Sequence, residues 1–168
     1  MGIIHRNIPK VLAVDLSDKY ELDILIETGT HVGKTAVWAT DWFTHVYTIE
    51  SVTHYYEVSR NKLRHKKNVT LINGFSQDVL QWLMLDIHQP CLFWLDAHWS
   101  RDLEGNKPDV ICPVLEELTI IKQSQYEHVI LIDDARLFEA KNNWPSLNDI
   151  KNAIERPFYI QEDVIVIE

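Results

Sequence analysis

Asp23-Ile24-Leu25-Ile26-Glu27-Thr28-Gly29-Thr30-His31-Val32-Gly33 is a short apolar run that breaks into a turn between two glycines. Asp23–Glu27 reads as a buried strand and Lys34–Phe43 as the helix that follows, with Ala36, Val37, Ala39, Trp42 and Phe43 at helical spacing. The same alternation continues down the chain. His45–Glu50, Val69–Ile72, Cys91–Leu95 and Val129–Ile132 read as strands. Thr53–Lys66, Gln77–Asp86 and Pro113–Lys122 read as the helices between them, and Ser146 as the cap of a helix running to about Ile154. Strands alternating with helices predict a parallel sheet covered on both faces, an α/β three-layer sandwich of Rossmann-like form. Phe158–Ile160 and Val164–Ile167 flank Gln161-Glu162-Asp163 with no helix between, which predicts an antiparallel C-terminal hairpin.

In such sheets ligands bind beyond the carboxyl ends of the strands. The turn after the first strand is not a P-loop, because Thr28 stands where the first glycine would fall. Nor is it G-x-G-x-x-G, because His31 and Lys34 replace glycines. Glu50 ends the second strand 21 residues after Gly29, where a carboxylate accepts from both hydroxyls of a nucleoside ribose. Ser76 is a candidate N-cap after the third strand, and Phe75 either stacks on a flat base or joins the core. Asp96 follows the fourth strand, and Asp133 and Asp134 follow the fifth. Three carboxylates packed together repel unless compensated, so they either hold a divalent cation such as Mg²⁺ or pair with Arg101 or Arg136. His98, two residues beyond Asp96, is placed to accept a proton from a hydroxyl, or to be a metal ligand itself. The polar stretch 99–111 reads as a loop over the site, with Trp99 as a wall.

Composition narrows the classes. At 168 residues, one domain spanning 1–168 is expected, with residues 1–20 as a lead-in. A net charge of −9 argues against a phosphate-binding surface of the nucleic-acid kind. No apolar run approaches the roughly 20 residues that span a bilayer, and Met1–Lys10 lacks a signal-peptide core. Two cysteines, Cys91 and Cys112, make no disulfide framework, so a reduced, cytoplasmic location is expected.

Taken together, these residues resemble class I S-adenosylmethionine-dependent methyltransferases, in particular the metal-dependent O-methyltransferase branch that includes catechol and macrocin-type enzymes. The resemblance covers Asp23 to the C-terminus. Glu27-Thr28-Gly29-Thr30-His31-Val32-Gly33 is similar to the E-x-G-x-x-x-G motif that holds the methionine part of the cofactor. Phe93–Trp99, Cys112–Leu118 and His128–Phe138 resemble a group of small methyltransferase-like proteins. The resemblance implies a seven-stranded sheet and cofactor contacts from Glu27, Thr28, Gly29, Thr30, Gly33, Glu50, Ser76 and Asp96. It also implies Mg²⁺ on Asp96, Asp133 and Asp134, with His98 as base, a small hydroxylated acceptor such as a sugar, and a homodimer. Three departures stand out: His31 where glycine is common, Phe75 where many members carry an acid near the adenine, and few residues before the first strand. A metal-dependent hydrolase or hydroxylase on this fold, and a non-catalytic cofactor-binding subunit, are the alternatives.

Overall fold

The computed structural model describes residues 7–98 and 111–168. Helix α1 (Lys10–Tyr20) opens the chain, inside the stretch expected to be only a lead-in. It has no side-chain cap; its Ala13 and Leu16 are buried, so packing rather than a start signal holds it. Five parallel strands follow: β1 (Ile24–Thr28), β2 (His45–Glu50), β3 (Val69–Asn73), β4 (Leu92–Leu95) and β5 (Val129–Ile132). Helices α2 (Lys34–Ala39), α3 (Thr53–Leu63), α4 (Ser76–Leu83) and α5 (Val114–Ile121) connect them in turn. Helix α6 (Leu147–Ile154) leads to β6 (Tyr159–Gln161) and β7 (Val164–Ile167), and β7 runs antiparallel to both of its neighbours, β5 and β6. The sheet order is β3-β2-β1-β4-β5-β7-β6, which is the seven-stranded, mostly parallel sheet expected.

Each central strand buries both faces. Ile26 and Phe93 face α4, α5 and α6, whose Leu80, Leu118 and Ile150 complete one core layer. Leu25 and Trp94 face α1, α2 and α3, packed against Leu16, Ala36 and Leu63. Leu92–Leu95 and Val129–Ile132 are buried throughout, as their unbroken apolar sequences require. Helix α6 carries the expected cap in reciprocal form: Ser146 Oγ accepts from Asp149 N–H and the Asp149 carboxylate accepts from Ser146 N–H. The hairpin turn is Glu162-Asp163, with φ of 52° and 70°, so both central residues are left-handed as a tight hairpin requires.

The ladder runs one residue past the strands and places the site. Asp96 N–H donates to Thr28 O, Asp133 N–H to Leu95 O and Gly29 N–H to Ile49 O. Glu27–Gly29, Glu50, Asp96 and Asp133 therefore share the carboxyl edge of one sheet. No helix among the described residues is long and apolar enough to cross a membrane.

Candidate active site

The first turn is shaped by close approach. Gly29 has φ 85°, and a Cβ there would lie 2.2 Å from the backbone oxygen of Asp96. Only glycine lets β1 and β4 close at this point. Gly33 (φ 75°) precedes α2, and a Cβ would lie 3.1 Å from Ser59 Cβ. Between them His31 is left-handed too, at 49°.

Glu50 is held by this turn. Its Oε2 accepts from His31 N–H (2.6 Å) and its Oε1 from Val52 N–H (2.8 Å). Each oxygen keeps a lone pair, so the carboxylate remains able to accept two hydroxyls, as the ribose role demands. Burial raises its pKa, against the pull of the Val52, His31 and Ser51 amides.

Glu27, expected as a cofactor contact, is almost fully enclosed by protein. It is buried under the turn, on the α1–α3 side. Thr48 Oγ1 donates to its Oε2 at 2.6 Å, and Thr30 Oγ1 lies 2.5 Å from Thr48 Oγ1. Burial pushes Glu27 up to about 8. Glu27, Thr30 and Thr48 brace the glycine turn from below.

On the opposite face the sequence reading missed Glu117. It sits at 1% exposure on α5, between Val114, Leu118 and Ile121 on the inward side. An acid at that position of an otherwise apolar helical face was the available signal. The hydroxyls of Ser76 and Thr28 face its carboxyl, and burial still pushes it up to about 7. Yet Glu117 Oε1, Thr28 Oγ1 and Ser76 Oγ are all buried without a hydrogen bond of normal geometry. The nearness is real and the bonds are unformed, so this polar cluster is under-satisfied. Ser76 itself is the first residue of α4 and not its N-cap: Phe75 holds that place, without a side-chain cap. The Phe75 ring is 54% exposed and outside the core.

The carboxylates beyond β4 and β5 are organised around His98. Its Nε2 lies 2.9 Å from Asp134 Oδ2 and its Nδ1 3.5 Å from Asp96 Oδ1. The Trp144 ring packs on it, with centroids 4.9 Å apart. Arg136 Nη1 meets Asp134 Oδ1 at 2.6 Å and also pairs with Asp163 of the hairpin turn, which accepts the Arg136 backbone N–H as well. Asp133 Oδ1 accepts from Asp134 N–H at 2.8 Å. Burial pulls the His98 pKa down, but the Asp134 bond and the Asp96 and Asp133 charges outweigh it and leave it above 6.5. Burial raises Asp96 and Asp133. Asp134 is lowered, because His98 and Arg136 outweigh its burial.

The Mg²⁺ expected on Asp96, Asp133 and Asp134 is not shown by this geometry. Asp96 and Asp134 face different nitrogens of one imidazole ring, and Asp134 already has a guanidinium on its other oxygen. Donors to one ion must converge on a point about 2.1 Å from each. Among the described residues no three His, Cys, Asp or Glu are grouped to do so. Of the pairings expected from the sequence, that of Arg136 with Asp134 is present. Arg101, Trp99 and the rest of the loop expected over 99–111, Ile111 apart, lie outside the described residues. A cavity of about 800 Å³ lies in a groove between α4 and α5, lined by Gln81, Leu85 and Gln123 among others and apart from the His98 cluster.

This sheet order, with a glycine turn after β1, an acid ending β2 and acids beyond β4 and β5, is a Rossmann-like α/β fold that solved methyltransferase structures share. Solved structures bear this out. An O-methyltransferase from Bacillus cereus, in complex with S-adenosylhomocysteine, superposes with a TM-score of 0.65 at 16% identity, over 95% of this chain and 81% of that one. The O-methyltransferase TomG of Streptomyces achromogenes, bound to S-adenosylmethionine, gives 0.63 at 17% identity, over 92% and 76%. The Podospora anserina methyltransferase PaMTH1, with S-adenosylhomocysteine, gives 0.62 at 15% identity, over 92% and 74%. No family model matches the chain, and no curated protein matches it.

Proposed function

We propose that this protein is an S-adenosylmethionine-dependent O-methyltransferase acting on a small hydroxylated molecule, a sugar or a similar polyol. The observation that carries it is the placement, on one sheet edge of a methyltransferase fold, of an amide-anchored Glu50 and a His98 anchored by Asp134. When bound, the cofactor supplies an electrophilic sulfonium methyl. Glu50 would hold its ribose, and the Gly29–Gly33 turn its methionine end. Glu27 and Thr30 would act beneath that turn as its support.

The remaining chemistry belongs to His98. Its Nε2–H donates to Asp134, which fixes the tautomer and leaves Nδ1 as the proton-accepting nitrogen. Asp96 beside Nδ1 takes part in holding that proton. A hydroxyl seated there would lose its proton to this pair on taking the methyl that the bound cofactor would supply, and no acid would be needed for the sulfide left behind. Orientation supplies the larger part of the rate, since effective molarities of positioned groups are worth about 7–11 kcal/mol. Mg²⁺ is left out of this reading, because Asp134 is paired with His98 and Arg136, Asp96 faces His98, and Asp133 accepts the Asp134 amide.

The test is calorimetric titration with S-adenosylmethionine in EDTA, followed by a screen of hydroxylated acceptors for S-adenosylhomocysteine release. One-site binding, weakened at least tenfold (about 1.4 kcal/mol) by Glu50→Ala, is expected. Absence of binding at millimolar cofactor would overturn the proposal.

A further inference from the structure

The strongest unabsorbed observation is the chain of contacts Asp96–His98–Asp134–Arg136–Asp163. In the resemblance, the carboxylates at this edge exist to hold a divalent ion. Here each has another partner. Asp134 receives His98 on one oxygen and Arg136 on the other, so both of its oxygens already face a cationic or donor group of the protein. Asp133 receives the Asp134 amide. The imidazole ring stands between Asp96 and Asp134, and a single ion cannot be bound through both ring nitrogens at once.

The arrangement is built rather than incidental. Asp134 is left-handed, at φ 58°, which turns its carboxylate toward His98 and Arg136. Arg136 is fixed from the far side by two contacts to the hairpin turn, in which Asp163 accepts from its backbone N–H and its guanidinium, and the neighbouring Ala135 N–H donates to Asp163 O. Trp144 covers the His98 ring. The Arg136 side chain is 42% exposed, whereas Asp134 is at 14% and Asp163 at 9%. A guanidinium therefore reaches from the surface to neutralise two largely buried carboxylates, as a metal would otherwise do.

We infer that Arg136, with His98, is a resident cation standing in the place of a divalent metal, and that this site binds and orients its substrate without one. The inference rests on the methyltransferase reading for its chemistry, but its physical content is the cation site itself. Arg136 is a positioning residue: it acts on Asp134, which in turn orients His98. A hydroxyl's acidity must then be raised by hydrogen bonding to the Asp96–His98 pair.

Mn²⁺ alone, titrated into the full chain and followed by electron paramagnetic resonance, reads the inference directly. The wild-type protein is expected to show no saturable binding up to millimolar Mn²⁺. The His98→Ala/Arg136→Ala double variant, which strips Asp134 of both partners, is expected to bind Mn²⁺ at least about tenfold more tightly than the wild type. Micromolar Mn²⁺ binding by the wild type, lost in Asp134→Asn, would overturn the inference. So would a folded double variant that binds Mn²⁺ no better than the wild type. The wild-type titration decides even where the variant does not fold. Failure of S-adenosylmethionine to bind, with or without Mn²⁺, would instead sink the methyltransferase reading and leave the cation result standing.

Discussion

His98 has a carboxylate near each ring nitrogen, and this governs its titration. Asp134 and Asp96 contact it, Asp133 and Glu117 add negative charge nearby, and Arg136 opposes them from beyond Asp134. Anions favour the imidazolium, so the His98 midpoint lies above 6.5 despite burial. In the Asp134→Asn variant the largest of these anionic contacts is gone and the midpoint moves to lower pH. An NMR titration of the His98 ring carbons checks both statements, and a midpoint that stays put in Asp134→Asn would remove the orienting role given to that residue. Glu27 is raised as well, and its titration bears on stability in the same direction. Its folded pKa, about 8, is above its ordinary 4.5, so the folded state holds the proton more tightly than the unfolded chain does. That stability is complete below pH 4.5, falls as pH rises, and is gone above about 8. Glu27→Gln keeps the shape and removes the charge. Its melting temperature relative to wild type is therefore expected to climb from pH 5 to pH 9, measured by circular dichroism. A constant difference across that range would mean Glu27 is ionised when folded.

The elements were legible where periodicity or an unbroken apolar run dictated them. Cys91–Leu95 and Val129–Ile132 read as doubly covered strands, and Ser146 marked the start of α6. Helix α1 was hidden because it has no cap, no acid in its first turn and only two buried residues to mark its face. Ends were overextended for the same kind of reason. The helix expected through Phe43 stops at Ala39, with Thr40 Oγ1 donating to Val37 O and Asp41 N–H bonding back to Trp38 O in a tight last turn. Of the site, strand-end acids were visible because position alone reveals them. Their partners were not: Trp144 and Asp163 approach His98 and Arg136 only through tertiary contact, from residues far along the chain. At the level of elements the most sensitive point is the β1–α2 turn. Gly29→Ala puts a methyl 2.2 Å from backbone that cannot retreat, in a left-handed conformation. A loss of about 3 kcal/mol or more is expected. Gly33→Ala meets only a Ser59 side chain at 3.1 Å, and about 1 kcal/mol is expected. Urea denaturation of the two variants separates them, and equal losses would show that the β1–β4 approach is not the constraint.

Across the whole molecule, the C-terminal hairpin is tied to the site by one side chain. The β6–β7 turn lies at the far end of the sequence from β1, yet antiparallel pairing of β7 with β5 brings Asp163 next to Arg136. This makes the hairpin part of the electrostatic frame of His98, beyond its role in closing the sheet edge. Asp163→Asn isolates that role. Asparagine tolerates the left-handed φ of 70° and can still accept from the Arg136 amide, so the turn and its backbone bonds persist. Only the charge goes. Because the guanidinium is 42% exposed, the cost in stability is expected to stay within about 1 kcal/mol. The effect should appear at His98. With Asp163 neutral, Arg136 acts undivided on Asp134, and the negative field at the imidazole weakens. The His98 midpoint is then expected to fall, by less than in Asp134→Asn. In the double variant the two shifts should not add, because Asp163 reaches His98 only through Arg136 and Asp134. Additive shifts would mean the hairpin acts on the imidazole by long-range charge alone, and the contact chain would lose its meaning as a unit.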